Sequence, residues 1–473
     1  MKTYKVLLMT SVVLLSSCTV GPDYKRPQFY SDNQIAARLG LNDAKSSINK
    51  EWYLQFNDPI LNSLIARGQN NSPSINVAIY KLRQSRQNLK INMTENLPLL
   101  DAAGSYNYGK DSISYGALAK TDYYQAGFDA SWEIDIWGGG RRLNEQSLAL
   151  VVASAANLDN VRLSLTAEIA NNYFLLRQFQ QQLQIANKNV VLQQEIFDLV
   201  KQKNKAGLAD DISLEQAKYV LENTRSQIPQ LETGIVSYKN ALTTLVGSLS
   251  GDLDELLDNP NKNIVANLYS FDMENLYNLP VSSIRNRPDV KVAEANLVAQ
   301  NAAIGQAIAS MFPSVSIKAF FGWQSANISN LISSKKDAYS YSPAINMPLF
   351  HWGALYNNVL LQKYLKDERL EVYRESLITA VADVKNAVTS VQKEYERNQS
   401  TLQALKSQEE VAYLSLDKYK QGLLAFSDVL TSQQNLLSAQ NANIVSNAMV
   451  LSNIISFYKA VGGGYSIQAD NTR

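Results

Sequence analysis

The stretch DYYQAGFDASWEIDIWGGG, residues 122–140, decides the fold of this 473-residue chain. From Tyr124 to Ile136 every second residue is apolar, and the residues between them are polar or amphipathic apart from one glycine. This two-residue period predicts a β-strand with one apolar and one polar face. We interpret the glycines that follow as a flexible turn, because no lysine completes a phosphate-binding loop.

The segment after this turn predicts one very long helix. Residues 141–206 contain no glycine or proline over 66 positions, and apolar residues recur every seven positions at Ile169, Leu176, Leu183, Val190 and Phe197. That spacing is typical of coiled-coil-like packing. At about 1.5 Å per residue the helix is roughly 100 Å long, which is too long for a compact globule to bury. The alternative is that the segment breaks into several ordinary helices.

The chain is a tandem duplication. Five landmarks recur at a constant offset of 215 residues: Pro73 and Pro288, Pro98 and Pro313, Trp137 and Trp352, Gly207 and Gly422, Val246 and Val461. The copies span residues 52–247 and 270–463, with an Asn- and Asp-rich linker at 248–269 and a C-terminal tail at 464–473. Because this period is too long for a solenoid of short repeats, each copy is a whole structural unit.

Both copies have the same predicted order of elements. In the first, strands at about 98–109 and 122–137 precede the long helix 141–206, and a return helix at 213–247 is interrupted near Pro229 and Gly234. In the second, strands at about 313–323 and 338–350 precede a long helix at 354–421 and a return helix at 428–461. Gly207 and Gly422 end the long helices, because glycine tolerates positive φ. Each copy therefore ends in a helical hairpin.

The strands are long enough to cross a bilayer. They run 10 to 15 residues, and a transmembrane strand needs about 9–11. Aromatic residues near the loop ends are typical of an interfacial girdle, namely Tyr108, Tyr123, Trp323 and Tyr339. Four strands cannot close a barrel, since the smallest barrels have about eight, so a membrane sheet requires more than one chain. The alternative is a water-facing sheet of a soluble protein.

The N-terminus predicts a lipoprotein. Lys2 and Lys5 precede the apolar run 6–15, and Leu15-Ser-Ser-Cys18 resembles a bacterial lipobox. We therefore expect residues 1–17 to be a signal peptide, Cys18 to be acylated, and residues 18–51 to form a lipidated N-terminal segment. Thr19 favours the outer membrane, because the resemblance implies that only an aspartate here would favour the inner membrane. The alternative is an uncleaved anchor with an incidental cysteine.

Composition and motifs point away from catalysis and from nucleic acid. Without Lys2 and Lys5 of the signal peptide, 42 basic residues face 43 acidic ones, a balance that argues against nucleic acid as the main partner. His351 is the only histidine and Cys18 the only cysteine, so no zinc shell is plausible. No Gly-x-Ser-x-Gly nucleophile elbow occurs. We expect no enzyme activity, no metal and no cofactor other than a covalent lipid on Cys18.

These features together resemble the TolC/OprM-type outer-membrane factors, in the lipoprotein branch that serves drug efflux. The resemblance covers nearly the whole chain, and its most specific segments are Cys18-Thr-Val-Gly-Pro-Asp-Tyr-Lys-Arg-Pro27, Arg287-Pro-Asp-Val290, Pro348-Leu-Phe-His-Trp-Gly353 and Tyr458-Lys-Ala-Val-Gly-Gly-Gly-Tyr465. It implies a mainly α-helical homotrimer in the outer membrane of a Gram-negative bacterium, lipid-anchored and extending into the periplasm. Three chains would share a 12-stranded β-barrel continuous with a periplasmic α-helical barrel. An equatorial belt would contain the linker, and a periplasmic adaptor and an inner-membrane pump would be the partners.

The resemblance also places the hairpin turns at the periplasmic tip. It implies an aspartate six residues after the turn glycine, which the second copy has as Asp428; the first copy has Ser213 there, with Asp210 and Asp211 just before it. In an oligomer Asp428 becomes a ring of carboxylates that favours cations and helps to hold a closed pore. The alternative is that Asp428 caps the following helix. The sequence departs from the family pattern at two further positions. Leu424 stands where some members carry an arginine, and Thr431 stands where some carry a second aspartate. We therefore expect a weaker or differently built gate.

The predicted function is the exit duct of a tripartite efflux system, which passively conducts small toxic molecules or drugs across the outer membrane and contributes to multidrug resistance. Two alternatives stay open at this point. One is an exit duct for protein or peptide secretion, and the other is a lipid-anchored periplasmic coiled-coil scaffold without a pore.

Overall fold

The computed structural model describes residues 19–39, 50–112, 118–258, 282–332 and 337–464, without the side chains of 32, 110–112 and 118–121. The predicted signal peptide, Cys18, half of the predicted linker (259–269) and the tail beyond residue 464 lie outside these residues. The chain divides into two compact units. The first comprises Met1–Pro27, Tyr80–Ala155 and Val292–Arg374, and the second comprises Gln28–Ile79, Ala156–Lys291 and Glu375–Arg473.

The helices and strands follow the predicted order. The first part of the chain contains α1 (Asp32–Leu39), a 3-10 turn (Trp52–Phe56), α2 (Pro59–Asn71), α3 (Pro73–Glu95), β1 (Leu99–Ser112), β2 (Leu118–Ile134), α4 (Gly139–Lys205) and α5 (Asp211–Leu245). The later part contains α6 (Asp254–Leu257), α7 (Ser282–Arg285), α8 (Pro288–Ala309), β3 (Ser314–Ser325), a 3-10 turn (Ile328–Asn330), β4 (Asp337–Asn346), α9 (Ala354–Lys420) and α10 (Phe426–Ala460).

The two long helices, α4 and α9, are continuous over 67 residues each. The alternative of several ordinary helices is therefore wrong. The predicted bounds were 141–206 and 354–421, and the observed helices start or end within two residues of them. The return helices α5 and α10 have 35 residues each. Equal lengths at equivalent positions are what a duplicated unit predicts.

The predicted interruption of the first return helix is wrong, since α5 passes through Pro229 and Gly234 without a break. Pro229 is exposed, so water can satisfy the carbonyl that its missing N–H leaves without a partner. Gly234 has a packing role instead: a Cβ at this position would overlap the ring of Phe179 on α4. Phe179 also packs against Tyr238, with 5.3 Å between the ring centroids. The glycine thus lets the two helices of the hairpin approach closely.

The four strands form one antiparallel sheet in the order β1-β2-β3-β4, within the first unit. The central pair β2–β3 joins the two copies, with Ile134 opposite Val315 at one end and Tyr124 opposite Ser325 at the other. Strand β4 ends at Asn346 rather than near residue 350, and Pro348, which lacks an N–H, follows closely. Strands β1 and β4 each have one edge without a partner strand in the described chain.

The Arg287-Pro-Asp-Val segment has a structural role in the second unit. The Arg287 guanidinium is buried and donates hydrogen bonds to the carbonyl oxygens of Ala460 (2.9 Å) and Ala380 (3.4 Å). It also pairs with the carboxylates of Asp289 (2.7 Å) and Asp383 (3.0 Å). The final carbonyls of a helix have no partner within that helix. Arg287 therefore satisfies the end of α10 and ties it to α9.

Aromatic packing fixes the start of the first copy in the same unit. The ring of Trp52 stacks on Tyr458 of α10 with 5.0 Å between centroids. Asp58 is fully buried and caps α2, because its carboxylate accepts hydrogen bonds from the N–H groups of Ile60 and Leu61. The Tyr173 hydroxyl donates a further bond of 2.7 Å to Asp58, and burial raises the pKa of that hydroxyl. These contacts hold α2 against α4.

Candidate functional site

The sheet has one apolar and one polar face. Paired residues of antiparallel strands share a face, so the register aligns Ala102, Phe128, Phe321 and Tyr339 in one apolar row. The other residues of this face are also mainly apolar or aromatic, and many are exposed in the single chain: Leu100, Tyr106, Tyr108, Trp132, Tyr341 and Ile345. The opposite face carries mainly small and polar side chains, and its charged residues include Asp101, Asp129, Glu133 and Lys318.

The predicted aromatic girdle needs one correction. Tyr108, Trp323 and Tyr339 lie on the apolar face, but Tyr123 pairs with Asn107 and lies on the polar face. The period of two required this, because Tyr123 is one residue out of phase with the apolar set. Two tyrosines that we did not select, Tyr106 and Tyr124, do share the apolar face, with 4.7 Å between their ring centroids. The girdle role of the three remaining residues stays a prediction.

Both helical hairpins turn in the same way. Gly207 (φ 72°) and Gly422 (φ 78°) have left-handed backbone conformations that favour glycine. The N–H groups of Leu208 and Leu423 donate to carbonyls five residues earlier, at 2.8 and 2.9 Å, and both glycine N–H groups donate to carbonyls three residues earlier. This pair of bonds defines a Schellman motif, which satisfies the final carbonyls of a helix. The duplication therefore preserved the turn itself.

The return helices begin differently after these turns. In the first copy Asp210 is the N-cap of α5, and its carboxylate accepts a 2.8 Å hydrogen bond from the N–H of Ser213. Hydrogen bonds from the hydroxyl and the N–H of Ser213 lower the pKa of the Asp210 carboxyl. Asp211 accepts a 2.9 Å bond from the side-chain amide of Asn204. The acidic residues of the first hairpin are thus held by local bonds.

In the second copy Ala425 occupies the N-cap position of α10 and provides no side-chain bond. Asp428 lies in the first turn, is exposed, and makes no side-chain hydrogen bond or ion pair within the described residues. The alternative that Asp428 caps this helix through its side chain is therefore wrong, although its charge there is favoured by the helix dipole. Thr431 is exposed, and its hydroxyl donates to the carbonyl of Ser427 at 2.9 Å. Of the predicted tip residues, only Asp428 presents an uncommitted charge.

An apolar cluster holds the two hairpins together behind these turns. Its buried members are Ile196, Val200, Ala217, Tyr419, Phe426 and Val429. Leu424 is partly buried against this cluster, so it is a packing residue rather than an exposed one. The strongly exposed apolar side chains of the turns are Leu208 and Leu423, which the sequence did not single out.

Lys203 links the two copies beside this cluster. Its ammonium group donates a 2.9 Å hydrogen bond to the carbonyl of Tyr419 and lies 4.1 Å from the centroid of the Tyr419 ring. Burial, and then the negative charge of Asp210, raise the pKa of the Tyr419 hydroxyl. The two residues are 216 positions apart. Sequence spacing alone carried no signal for this pair.

The segment that follows Cys18 is bound in the first unit. We call residues 19–27 the strap. The Arg142 side chain, which is buried, donates hydrogen bonds to the carbonyls of Val20 (3.1 Å) and Gly21 (3.2 Å) and pairs with Asp23 at 2.8 Å. The N–H of Val20 in turn donates a 3.0 Å bond to the carbonyl of Trp137, directly before α4. These bonds fix the start of the strap beside the end of β2.

The other side of the strap contacts α8. A Cβ on Gly21 would overlap the backbone of Gly305, and a Cβ on Gly305 would overlap the Arg142 side chain, so the packing favours glycine at both positions. Asn301 donates a 2.8 Å hydrogen bond to the carbonyl of Pro22. Arg26 forms two charged hydrogen bonds with Glu294. The strap therefore joins α4 of the first copy to α8 of the second, which gives the Gly-Pro-Asp-Tyr-Lys-Arg-Pro segment a structural explanation.

Metal-binding clusters are not a feature of the described residues. Within them no group of three His, Cys, Asp or Glu side chains could hold a metal ion. His351 is exposed between β4 and α9. The lipidation predicted at Cys18 falls outside the described part of the chain and stays a prediction.

A sheet with an exposed apolar face and helical hairpins of this length are the features that a membrane channel subunit requires. The family model described as outer membrane efflux protein matches residues 64–248 and 279–463. Both bounds of the second match lie 215 residues after those of the first, in agreement with the duplication. The chain belongs to the outer membrane efflux protein family, whose members are channel proteins.

Individual relatives agree over nearly the full length. The chain is 27% identical to the probable efflux pump outer membrane protein TtgC of Pseudomonas putida, over 97% of this chain and 95% of that protein. It is 26% identical to the cation efflux system protein CusC of Escherichia coli, over 98% of this chain and 100% of that protein. The predicted family and fold class are therefore confirmed, and the chain is an outer-membrane efflux channel protein.

Two solved structures show the same fold. The outer-membrane channel OprN matches with a TM-score of 0.84 and 27% identity, over 94% of this chain and 99% of that one. The CmeC outer membrane channel of Campylobacter jejuni matches with a TM-score of 0.85 and 25% identity, over 96% of each chain.

We predict that Arg142→Met releases the strap. The change removes both ion pairs of Arg142, with Asp23 and with Glu145, together with its bonds to the strap carbonyls. Hydrogen bonds to a charged group contribute about 1.5–3 kcal/mol each. Amide exchange at Val20 should become faster by at least about tenfold, since each 1.4 kcal/mol changes an equilibrium tenfold. Mass spectrometry after hydrogen exchange measures this.

The matched control is Arg162→Met, because Arg162 is more exposed and its ion pair with Asp159 is long, at 3.9 Å. This variant should leave exchange in the strap unchanged. Equal protection of Val20 in the wild type and in Arg142→Met would show that the remaining contacts of the strap hold it without Arg142.

Proposed function

We propose that the protein is the outer-membrane exit duct of a tripartite efflux system, built as a lipid-anchored homotrimer that passively conducts small toxic molecules. The observation that carries this proposal is the sheet: one face is apolar and exposed, and within the described residues β1 and β4 each have an edge without a partner strand. Open edges are not tolerated in hydrocarbon. Three copies of four strands give a barrel of an even strand number within the known range.

The names of the relatives support efflux over secretion. TtgC of P. putida is described as a toluene efflux pump protein in one strain, and CusC as part of a cation efflux system. Toluene and cations are small solutes, so these names favour a small-molecule duct here. A soluble scaffold without a pore is disfavoured, because its sheet would expose a large apolar face to water.

The geometry of the strap supports a lipid on Cys18. Val20, two residues later, is bonded to the carbonyl of Trp137 at the end of β2. An acyl chain on Cys18 would therefore enter the membrane beside the sheet. Two or three such chains give stable attachment, at about 0.8 kcal/mol per buried CH2.

We propose that the turns at Gly207 and Gly422 contact a periplasmic adaptor, which connects the duct to an inner-membrane pump. The support is the exposure of Leu208 and Leu423, apolar side chains that the chain itself leaves uncovered. The acidic side chain of Asp428 lies close by in sequence and is free to form a carboxylate ring in the trimer.

Photo-crosslinking in cells tests this function. A photoreactive residue in place of Leu423, whose side chain is 71% exposed, should capture the adaptor of a proton-driven drug pump. The control position is Phe426, which is 6% exposed and should capture no other protein. Capture of the adaptor of an ATP-driven protein exporter would move the function to secretion. A crosslinker that is active but captures no adaptor would contradict the tip assignment.

Removal of the Asp428 carboxylate tests the proposed gate. If the ring narrows the pore, Asp428→Ala should raise single-channel conductance in planar bilayers, and Asp428→Asn should mainly reduce the preference for cations. Thr431→Val, one turn further along α10, is the control and should change neither property. Wild-type conductance and selectivity in both Asp428 variants would remove this residue from the gate.

A further inference from the structure

A cavity of about 510 Å3 lies in the first unit, at the base of the sheet where strands meet helices. Its walls come from the ends of α3, β2 and α8, the start of α4, and the segment between β4 and α9. Both copies therefore contribute to it. Cavities that bind small organic ligands are typically about 300–1,000 Å3 in volume, so this one is large enough for a drug-sized molecule.

Acidic side chains form part of the lining of the cavity. Glu95, Glu133 and Asp135 are among the described lining residues together with His351, and no lysine or arginine is among them. Asp135 is already occupied, because it accepts a 2.9 Å hydrogen bond from the N–H of Arg141 and pairs with its guanidinium at 3.4 Å. Glu95 and Glu133 make no hydrogen bond or ion pair within the described residues. Two negative charges are thus available to a bound molecule.

The remaining walls include a substantial apolar part. Trp137 and Phe312 stack with 4.7 Å between their ring centroids, and both line the cavity with Leu143 and Leu355. The Trp137 N–H donates a 2.7 Å hydrogen bond to the carbonyl of Pro313, which fixes the indole in place. Apolar and aromatic walls with a few charged groups are the usual composition of a site for amphiphilic ligands.

We propose that this cavity is a binding site for organic cations that combine a positive charge with an aromatic or apolar body. Glu95 and Glu133 attract the charge, and the wall formed by Trp137, Phe312 and the leucines accepts the body. The role of this site in transport rests on the proposed efflux function. Organic cations are then a class of substrate that binds here transiently during export. Binding itself requires neither an adaptor nor a pump.

The test is ethidium binding to the purified full-length protein in detergent, followed by fluorescence anisotropy. The wild type should bind ethidium saturably, and the double variant Glu95→Gln/Glu133→Gln should bind at least about tenfold more weakly, the change expected for the loss of about 1.4 kcal/mol.

The matched control is Asp129→Asn, an acidic residue on the polar face of the same sheet that does not line the cavity. It should retain wild-type affinity. The anionic dye 8-anilinonaphthalene-1-sulfonate should lose no affinity in the double variant, because the change removes negative charge that repels it.

Three outcomes would overturn the proposal: equal ethidium affinity in the wild type and the double variant, an equal loss in Asp129→Asn, or no saturable binding at all. Because the assay contains only this protein, its failure is distinct from failure to capture an adaptor in cells.

Discussion

Backbone hydrogen bonding at the edges of the sheet is the constraint on which the rest of the structure depends. A strand edge in hydrocarbon has no water to satisfy its N–H and C=O groups, so a sheet with one apolar face must close on itself. The described part of one chain supplies four strands, in which β1 and β4 each have an unpaired edge. Oligomerisation is therefore the proposed condition for membrane insertion. The strap supports the centre of this sheet, because it joins α4, the helix that follows β2, to α8, the helix that precedes β3.

The two copies share the same helices and turns but differ where their return helices begin. Both copies have a 67-residue helix, a Schellman turn and a 35-residue return helix. After the turn they differ: Asp210 is used as a cap in the first copy, whereas Asp428 in the second is exposed and uncommitted. Lys203 and Tyr419, which link the hairpins, also come from different copies. Duplicated units in one chain can thus divide structural and functional roles that an identical repeat could not.

Much of the fold was predictable, because it depends on local periodicity. The alternation from Tyr124 to Ile136 determined both the strand and its faces, and the constant offset of 215 determined the duplication. The site was less predictable, because its contacts join distant residues whose pairing no spacing reveals: Arg142 with the strap, and Lys203 with Tyr419. Gly234 was misread as a helix break, since only the position of the Phe179 ring explains it. Tyr123 was wrongly assigned to the aromatic girdle, although the two-residue alternation of the sequence already placed it on the polar face.

The central claim, that the apolar face of the sheet contacts lipid, is tested by single cysteines at neighbouring positions of β4. Ser340 pairs with Phe320 on the polar face, Tyr341 pairs with Ala319 on the apolar face, and both side chains are exposed in the single chain. In proteoliposomes, Ser340→Cys should react with a membrane-impermeant thiol reagent. A fluorophore on Tyr341→Cys should instead be quenched by brominated lipid. Equal, rapid labelling of both cysteines from water, with no quenching by lipid, would contradict the account and favour a water-facing sheet.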